Sequence, residues 1–139
     1  AALLGEAIRR CHAAGARLLV NGGPDAARTA GADGVHLTSA RLRSLDARPL
    51  PADMLVAASC HDPDELDRAL GVDADFVVLS PVHATPSHPE TRPLGWHRFE
   101  DWIAAFPRPV YALGGMGADD LPEALAARAQ GIAGIRGLW

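Results

Sequence analysis

Residues that could do chemistry recur at one kind of place in this sequence, directly after short apolar runs. They are Asn21, Thr38 and Ser39, Ser59 with His61, the loop from Ser80 to His88, the pair Gly114-Gly115, and Arg136. Two glycines let backbone N–H groups approach an anion, and an arginine adds a bidentate donor, so Gly114, Gly115 and Arg136 together fit a phosphate site. An ordinary strand-to-helix turn with a surface arginine would read the same way. Thr85 and Ser87 can donate to phosphate oxygens, as can a protonated His88, although a proline-stiffened surface loop has the same composition. His61 titrates near neutrality and could move a proton; histidines in such positions also cap or pack. Cys60 would need a depressed pKa to act as a nucleophile, and a buried thiol is the expected state.

The elements that must position these residues alternate strictly. Helical spacing covers residues 3–14, with Gly15 as its stop. Strand-like runs are expected at 17–21, 34–37, 55–59, 76–80, 110–113 and 132–135, with helices at 24–30, from 62 onward, at 96–106 and at 119–129. Asp62 can cap its helix and Pro63 suits the first position. The strands are apolar on both faces, as in parallel sheets covered by helices, and strand–helix alternation implies right-handed crossovers. An open doubly wound sheet and a (β/α)₈ barrel compete. There is no GxGxxG fingerprint and no P-loop, and polar residues past nearly every strand favour the α/β barrel of the TIM type. Such barrels usually run to about 250 residues. This chain has 139, which holds six strands, so the barrel is expected to be incomplete.

Composition narrows the chemistry. With 48% hydrophobic residues the chain can build one core, and no apolar run approaches the length of a membrane span. A net charge of −4 argues against a general nucleic-acid surface. All 13 basic residues are arginine, which excludes a lysine Schiff base or a lysine on phosphate. Cys11 and Cys60 form no CxxC pair, so a reducing, cytoplasmic setting is the default. The six histidines lack HxH or HExxH spacing, and no zinc site is expected. His36 reads as a structural strand residue. Trp96, Trp102 and Trp139 read as packing or interface residues, the latter consistent with a homo-oligomer.

The segments LLVNGGPDAARTAGADGVHL, AASCHDPDEL, DFVVLSPVHATPSHPETRPLGW, VYALGGM and GIAGIRGLW, in that order, resemble the thiamine phosphate synthase and thiazole tautomerase superfamily. The resemblance covers residues 17 to 139 and implies a (β/α)₈ barrel whose strands three to eight are these six. It implies a synthase that joins a pyrimidine diphosphate to a thiazole phosphate with Mg²⁺ and releases diphosphate. Asn21, Ser59, Thr85 and Ser87 match pocket residues, Gly114 and Gly115 match the thiazole-phosphate glycines, and Ile135-Arg136 stands in that site where the family usually carries Ile-Ser. Gly22 and Arg41 stand where the family carries its two metal-binding aspartates, and His88 stands in place of a lysine. No metal site is therefore expected in this chain, and loss of such groups costs about 10²–10³ in rate each. The tautomerase branch needs proton transfer, for which His83 and His61 are the candidates. The wording of ASCHDPDEL, SPVHATPSHP and RGLW is most similar to a subgroup in which the barrel follows a MutT-type Nudix hydrolase. That subgroup implies an N-terminal Nudix partner, and an alternative role as a non-catalytic regulatory or interaction domain of an 8-oxo-dGTP diphosphatase-like enzyme.

Overall fold

The computed structural model describes residues 2–138; Trp139 lies outside the described residues. Six parallel strands form one sheet in sequential order: β1 (Leu19–Asn21), β2 (Gly34–Leu37), β3 (Leu55–Cys60), β4 (Phe76–Leu79), β5 (Val110–Ala112) and β6 (Gly131–Ile132). The helices are α1 (Ala2–Ala13), α2 (Pro24–Ala30), α3 (Ser39–Arg43), α4 (Pro63–Gly71), α5 (Gly95–Ile103) and α6 (Leu121–Ala126), the last preceded by a 3₁₀ turn at Ala118–Asp120. Among the described residues β1 and β6 are the sheet's two edges. This is the strand–helix alternation and the six-stranded barrel portion that the sequence implies.

Two local expectations are corrected. Residues 39–43 form a short helix that the sequence pattern did not indicate. The last strand is Gly131–Ile132, so residues 133–135 belong to the loop after it and not to the strand.

Alternation along each strand sends one set of side chains to the helices and the other to the sheet's inner face. Val35 and Leu37, Val56, Ala58 and Cys60, Val77 and Leu79, and Val110 and Ala112 join Leu42, Leu66, Ala69, Phe99 and Ile103 in the core between sheet and helices. The residues between them face the other way: Asn21, Gly34, His36, Ser59 and Tyr111. Gly34 has no alternative, because a Cβ there would overlap the Leu55 carbonyl on β3. Trp96 and Trp102 pack against the core, as expected.

The helix starts fix the loops that precede them. Thr38 accepts the Arg41 N–H and caps α3. Asp62 accepts the Glu65 N–H at 2.8 Å, with Pro63 in the first turn of α4. Pro24 opens α2, and Gly31 closes it in the left-handed conformation that glycine adopts freely. No helix among the described residues is long and apolar enough to cross a membrane.

Candidate active site at the carboxyl ends of the strands

The parallel strands bring the loops after β1 to β6 to one rim, and every candidate from the sequence lies on it. The residues do not form one cluster. They fall into three groups along the rim.

The first group joins β2 and β3. His36 Nε2 lies 2.7 Å from Ser59 Oγ, on the sheet's inner face. Burial lowers the His36 pKa from its usual value and favours the neutral ring. His36 read as structural from sequence, and the structure places it on a predicted site residue. The signal was available: His36 alternates with Val35 and Leu37, which face the helices. Asn21 ends β1 and pairs in register with His36.

The second group surrounds His61, one residue beyond β3. Its Nδ1 lies 2.9 Å from Ser39 Oγ and 3.0 Å from Glu65 Oε2. The same carboxylate oxygen accepts the His61 N–H at 2.8 Å and the Ser39 hydroxyl at 3.2 Å. Glu65 Oε1 accepts Arg43 Nη2 at 2.7 Å and Nε at 3.1 Å. Glu65 is buried, and burial alone would raise its pKa. Hydrogen bonds from Arg43 and His61 outweigh that effect and hold it below the usual carboxylate range. An ionised carboxylate can only accept, so the contact with Glu65 calls for a proton on His61 Nδ1. The imidazole is about half exposed. Glu65 stands in the first turn of α4, three residues after the capping Asp62, and this spacing places it beneath His61. Cys60 is buried, its Sγ is directed at the Glu65 carbonyl at 3.4 Å, and burial pushes its thiol up to about 12. It is not a nucleophile.

The third group is built from the loops after β4, β5 and β6. Val82 and Leu94 pin the base of the long loop, through Val82 N–H to the Leu113 carbonyl, Leu94 N–H to the Pro81 carbonyl and Gly95 N–H to the Val82 carbonyl. Gly114, at φ +110°, would place a Cβ 2.6 Å from Pro81 Cα and 2.8 Å from the Val82 nitrogen. Gly115, at φ +66°, would place one 3.1 Å from the Ala84 carbonyl oxygen. Position 114 has no room for a side chain, and at 115 the positive φ strains any residue but glycine. Among the described residues no protein acceptor takes the Gly114 or Gly115 N–H. Gly137, in the loop carrying Ile135 and Arg136, lies so close to the Met116 carbonyl that it too has no room for a Cβ, which sets that loop against the glycine turn. Ile135 and Arg136 are exposed.

His83 belongs to this third group and not with His61. Its N–H donates to the Gly114 carbonyl, its ring meets Trp96 edge-on at 5.7 Å, and Nε2 lies 3.5 Å from Asp120 Oδ1. Thr85, Ser87 and His88 lie on the long loop. Thr85 Oγ1 accepts the His88 N–H at 3.2 Å, and Ser87 and His88 are exposed.

A sheet of six parallel strands in sequential order, covered by helices and carrying its polar loops on the carboxyl-terminal rim, defines the TIM-barrel-like α/β class. The chain belongs to the thiamine monophosphate synthase family, whose sequence profile matches residues 1–138. It is 40% identical over 133 residues to a putative thiamine-phosphate synthase of Geobacter sulfurreducens, covering 94% of this chain and 62% of that protein. It is 38% identical over 130 residues to the thiamine-phosphate synthase of Mycobacterium bovis, covering 91% of this chain and 59% of that protein. The chain thus spans about three-fifths of the length of these relatives. The thiamine phosphate pyrophosphorylase of Pyrococcus furiosus shares the fold, with a TM-score of 0.73 at 22% identity over 95% of this chain and 63% of that one.

Proposed function

We propose that this chain is a thiamine-phosphate-synthase-like domain that binds a thiazole phosphate, with a role in thiamine biosynthesis or salvage. The carrying observation is the Gly114-Gly115 turn. Its N–H donors are unpaired among the described residues, it is locked against Pro81 and Val82, and it lies beside the loop bearing Arg136. The phosphate sits at Gly114, Gly115, Ile135 and Arg136. Asn21, Ser59, Thr85, Ser87 and His88 contact the rest of the ligand.

The family generally uses Mg²⁺, and the residues of this chain do not fit it. Magnesium prefers octahedral oxygen ligands, with one or two carboxylates among them. The positions that carry those aspartates in the resemblance are Gly22, which has no side chain, and Arg41, a cation. Among the described residues no group of three or more His, Cys, Asp or Glu side chains is arranged to hold a metal. The Mg²⁺-dependent coupling of a pyrimidine diphosphate to the thiazole is therefore not assigned to these residues.

Proton transfer on the bound ring is the chemistry this rim retains. Glu65 and Ser39 hold the His61 imidazole through Nδ1 and leave Nε2 to exchange the proton. His83, whose backbone N–H is tied to the Gly114 carbonyl and whose ring lies between Trp96 and Asp120, is the second candidate. A Nudix domain preceding this barrel portion, a cytoplasmic setting and a homo-oligomer complete the reading. They rest on the wording of the motifs, on the biosynthetic family and on the tryptophans.

Calorimetric titration with the thiazole phosphate tests the pocket, followed by an assay for coupling with the pyrimidine diphosphate, with and without Mg²⁺. Saturable binding without turnover is expected. No binding at millimolar ligand overturns the assignment and leaves the non-catalytic, Nudix-attached role in its place.

A further inference from the structure

Arg41 is placed unlike most arginines of the molecule. Arg9 and Arg10 pair with Glu6, Arg28 with Asp25, Arg43 with Glu65, Arg48 with Asp75 and Arg108 with Asp73. The Arg41 guanidinium has no carboxylate or carbonyl partner among the described residues, although its backbone N–H is fixed by Thr38. The rotation of α3 explains where it goes. Leu42 is buried in the core, Arg43 turns toward Glu65, and Arg41 turns the opposite way, over the turn after β1. There its Nη1 lies 3.3 Å from where a Cβ of Gly23 would stand. The bare Gly22-Gly23 backbone thus makes room for the guanidinium. Asn21, one residue before that turn, is exposed and its side-chain amide is also unpaired among the described residues. Asp25, the nearest acid in sequence, is engaged by Arg28.

We propose that Arg41, with the Asn21 amide and the Gly22-Gly23 turn, forms an anion subsite that binds a diphosphate group without a divalent metal. The charge balance favours it. Two aspartates around one Mg²⁺ sum to zero, whereas Arg41 alone contributes +1, so the field here attracts an anion and repels the metal. A guanidinium presents a planar fork that matches two phosphate oxygens. The subsite rests on the ligand reading above, but it lies on the rim of β1 and β2 and not at the glycine turn, so the two can fail separately.

The test is calorimetry of the purified protein with inorganic diphosphate, first in EDTA and then in excess Mg²⁺. Binding is expected in EDTA, with no tightening by Mg²⁺. Arg41→Ala should weaken it about ten- to hundredfold, as expected for loss of a charge-assisted contact. Arg136→Ala should change it less than threefold. Arg41 is exposed, so the melting temperature of Arg41→Ala should match the parent, which separates lost binding from lost folding. The paired change Gly22→Asp with Arg41→Asp should abolish binding in EDTA and make it depend on Mg²⁺. A Cβ at Gly22 would lie 3.3 Å from Val20 Cγ1, so a small shift accommodates it. Absence of diphosphate binding in EDTA overturns the proposal, whether or not Mg²⁺ restores it. Loss of binding in Arg136→Ala but not in Arg41→Ala also overturns it, by placing the diphosphate at the glycine turn. The thiazole phosphate titration is read separately: its failure with diphosphate binding intact removes the ring assignment and leaves the Arg41 subsite standing.

Discussion

The two rims of the sheet use the same residue types to opposite ends. At the amino-terminal rim Asp33, Asp75 and Arg48 are engaged by backbone. Asp33 accepts the Leu18 N–H at 2.7 Å and faces His12 at 2.9 Å. Asp75 accepts the Val56 N–H at 2.8 Å and Arg48 Nη2 at 2.9 Å. Arg48 also donates to the Leu50, Met54 and Asp73 carbonyls. These contacts tie the starts of β1 and β3 to the residues that precede β2 and β4, and leave Arg48 little donor capacity over. At the carboxyl-terminal rim the guanidiniums of Arg41 and Arg136, the Gly114 and Gly115 N–H groups and the outer nitrogen of His61 have no protein partner among the described residues. Charge saturated by backbone stabilises; charge left unsaturated on a rigid frame can bind. Glu65 is the instructive exception. It is fully engaged on the open rim, and what its engagement provides is a fixed His61.

The strongest challenge to this division is Gly114→Ala, because that position serves both purposes. A methyl at φ +110° meets Pro81 and the Val82 nitrogen. The variant should lose about 3 kcal/mol or more of stability and also bind thiazole phosphate poorly. Urea unfolding reads the first effect and calorimetry the second. A stable Gly114→Ala protein would show that the turn is not locked as described.

Arg48→Ala should separate stability from binding. Its side chain is largely buried, and its removal strands several carbonyls and Asp75. A loss of about 2 kcal/mol is expected, with the affinity for thiazole phosphate unchanged at temperatures where the protein stays folded. A parallel loss of affinity would break the distinction between the rims. Arg136→Ala is the mirror experiment. It should weaken thiazole phosphate about tenfold and leave stability within about 0.5 kcal/mol. Unchanged affinity would remove Arg136 from the phosphate site.

The sequence carried the frame well, because strand and helix periods and glycine, proline and acid punctuation are local signals. Helix α3 escaped because five residues are too few to show a period, although Thr38 was in place to cap it. The Glu65 network escaped for another reason. Ser39 and Arg43 are 26 and 22 residues from Glu65, and only the parallel pairing of β2 with β3 brings them together. The contact of His36 with Ser59 escaped because both faces of these strands are largely apolar, so a histidine between valine and leucine showed its strand position but not its partner. Arg41 was legible as an odd residue at a family position. Its reach over Gly23 was not, since that depends on the rotation of α3.

The smallest expected effect concerns His36, which belongs to the open rim by contact and to the closed interior by burial. Burial lowers its folded-state pKa below the ordinary value of about 6.5. The unfolded chain therefore takes up a proton at His36 before the folded protein does. This contribution to stability is complete above about pH 6.5 and declines as the pH falls through that value toward the folded pKa. His36→Gln keeps a hydrogen-bonding partner for Ser59 and removes the titration. Urea unfolding of both proteins at pH 7.5 and 5.5 should show a larger loss in the parent than in His36→Gln. The variant should still bind thiazole phosphate, with affinity flatter across the same interval. Equal losses in the two proteins would mean that the His36 ring is hydrated and titrates normally, and would move it from the interior to the solvent-facing part of the rim.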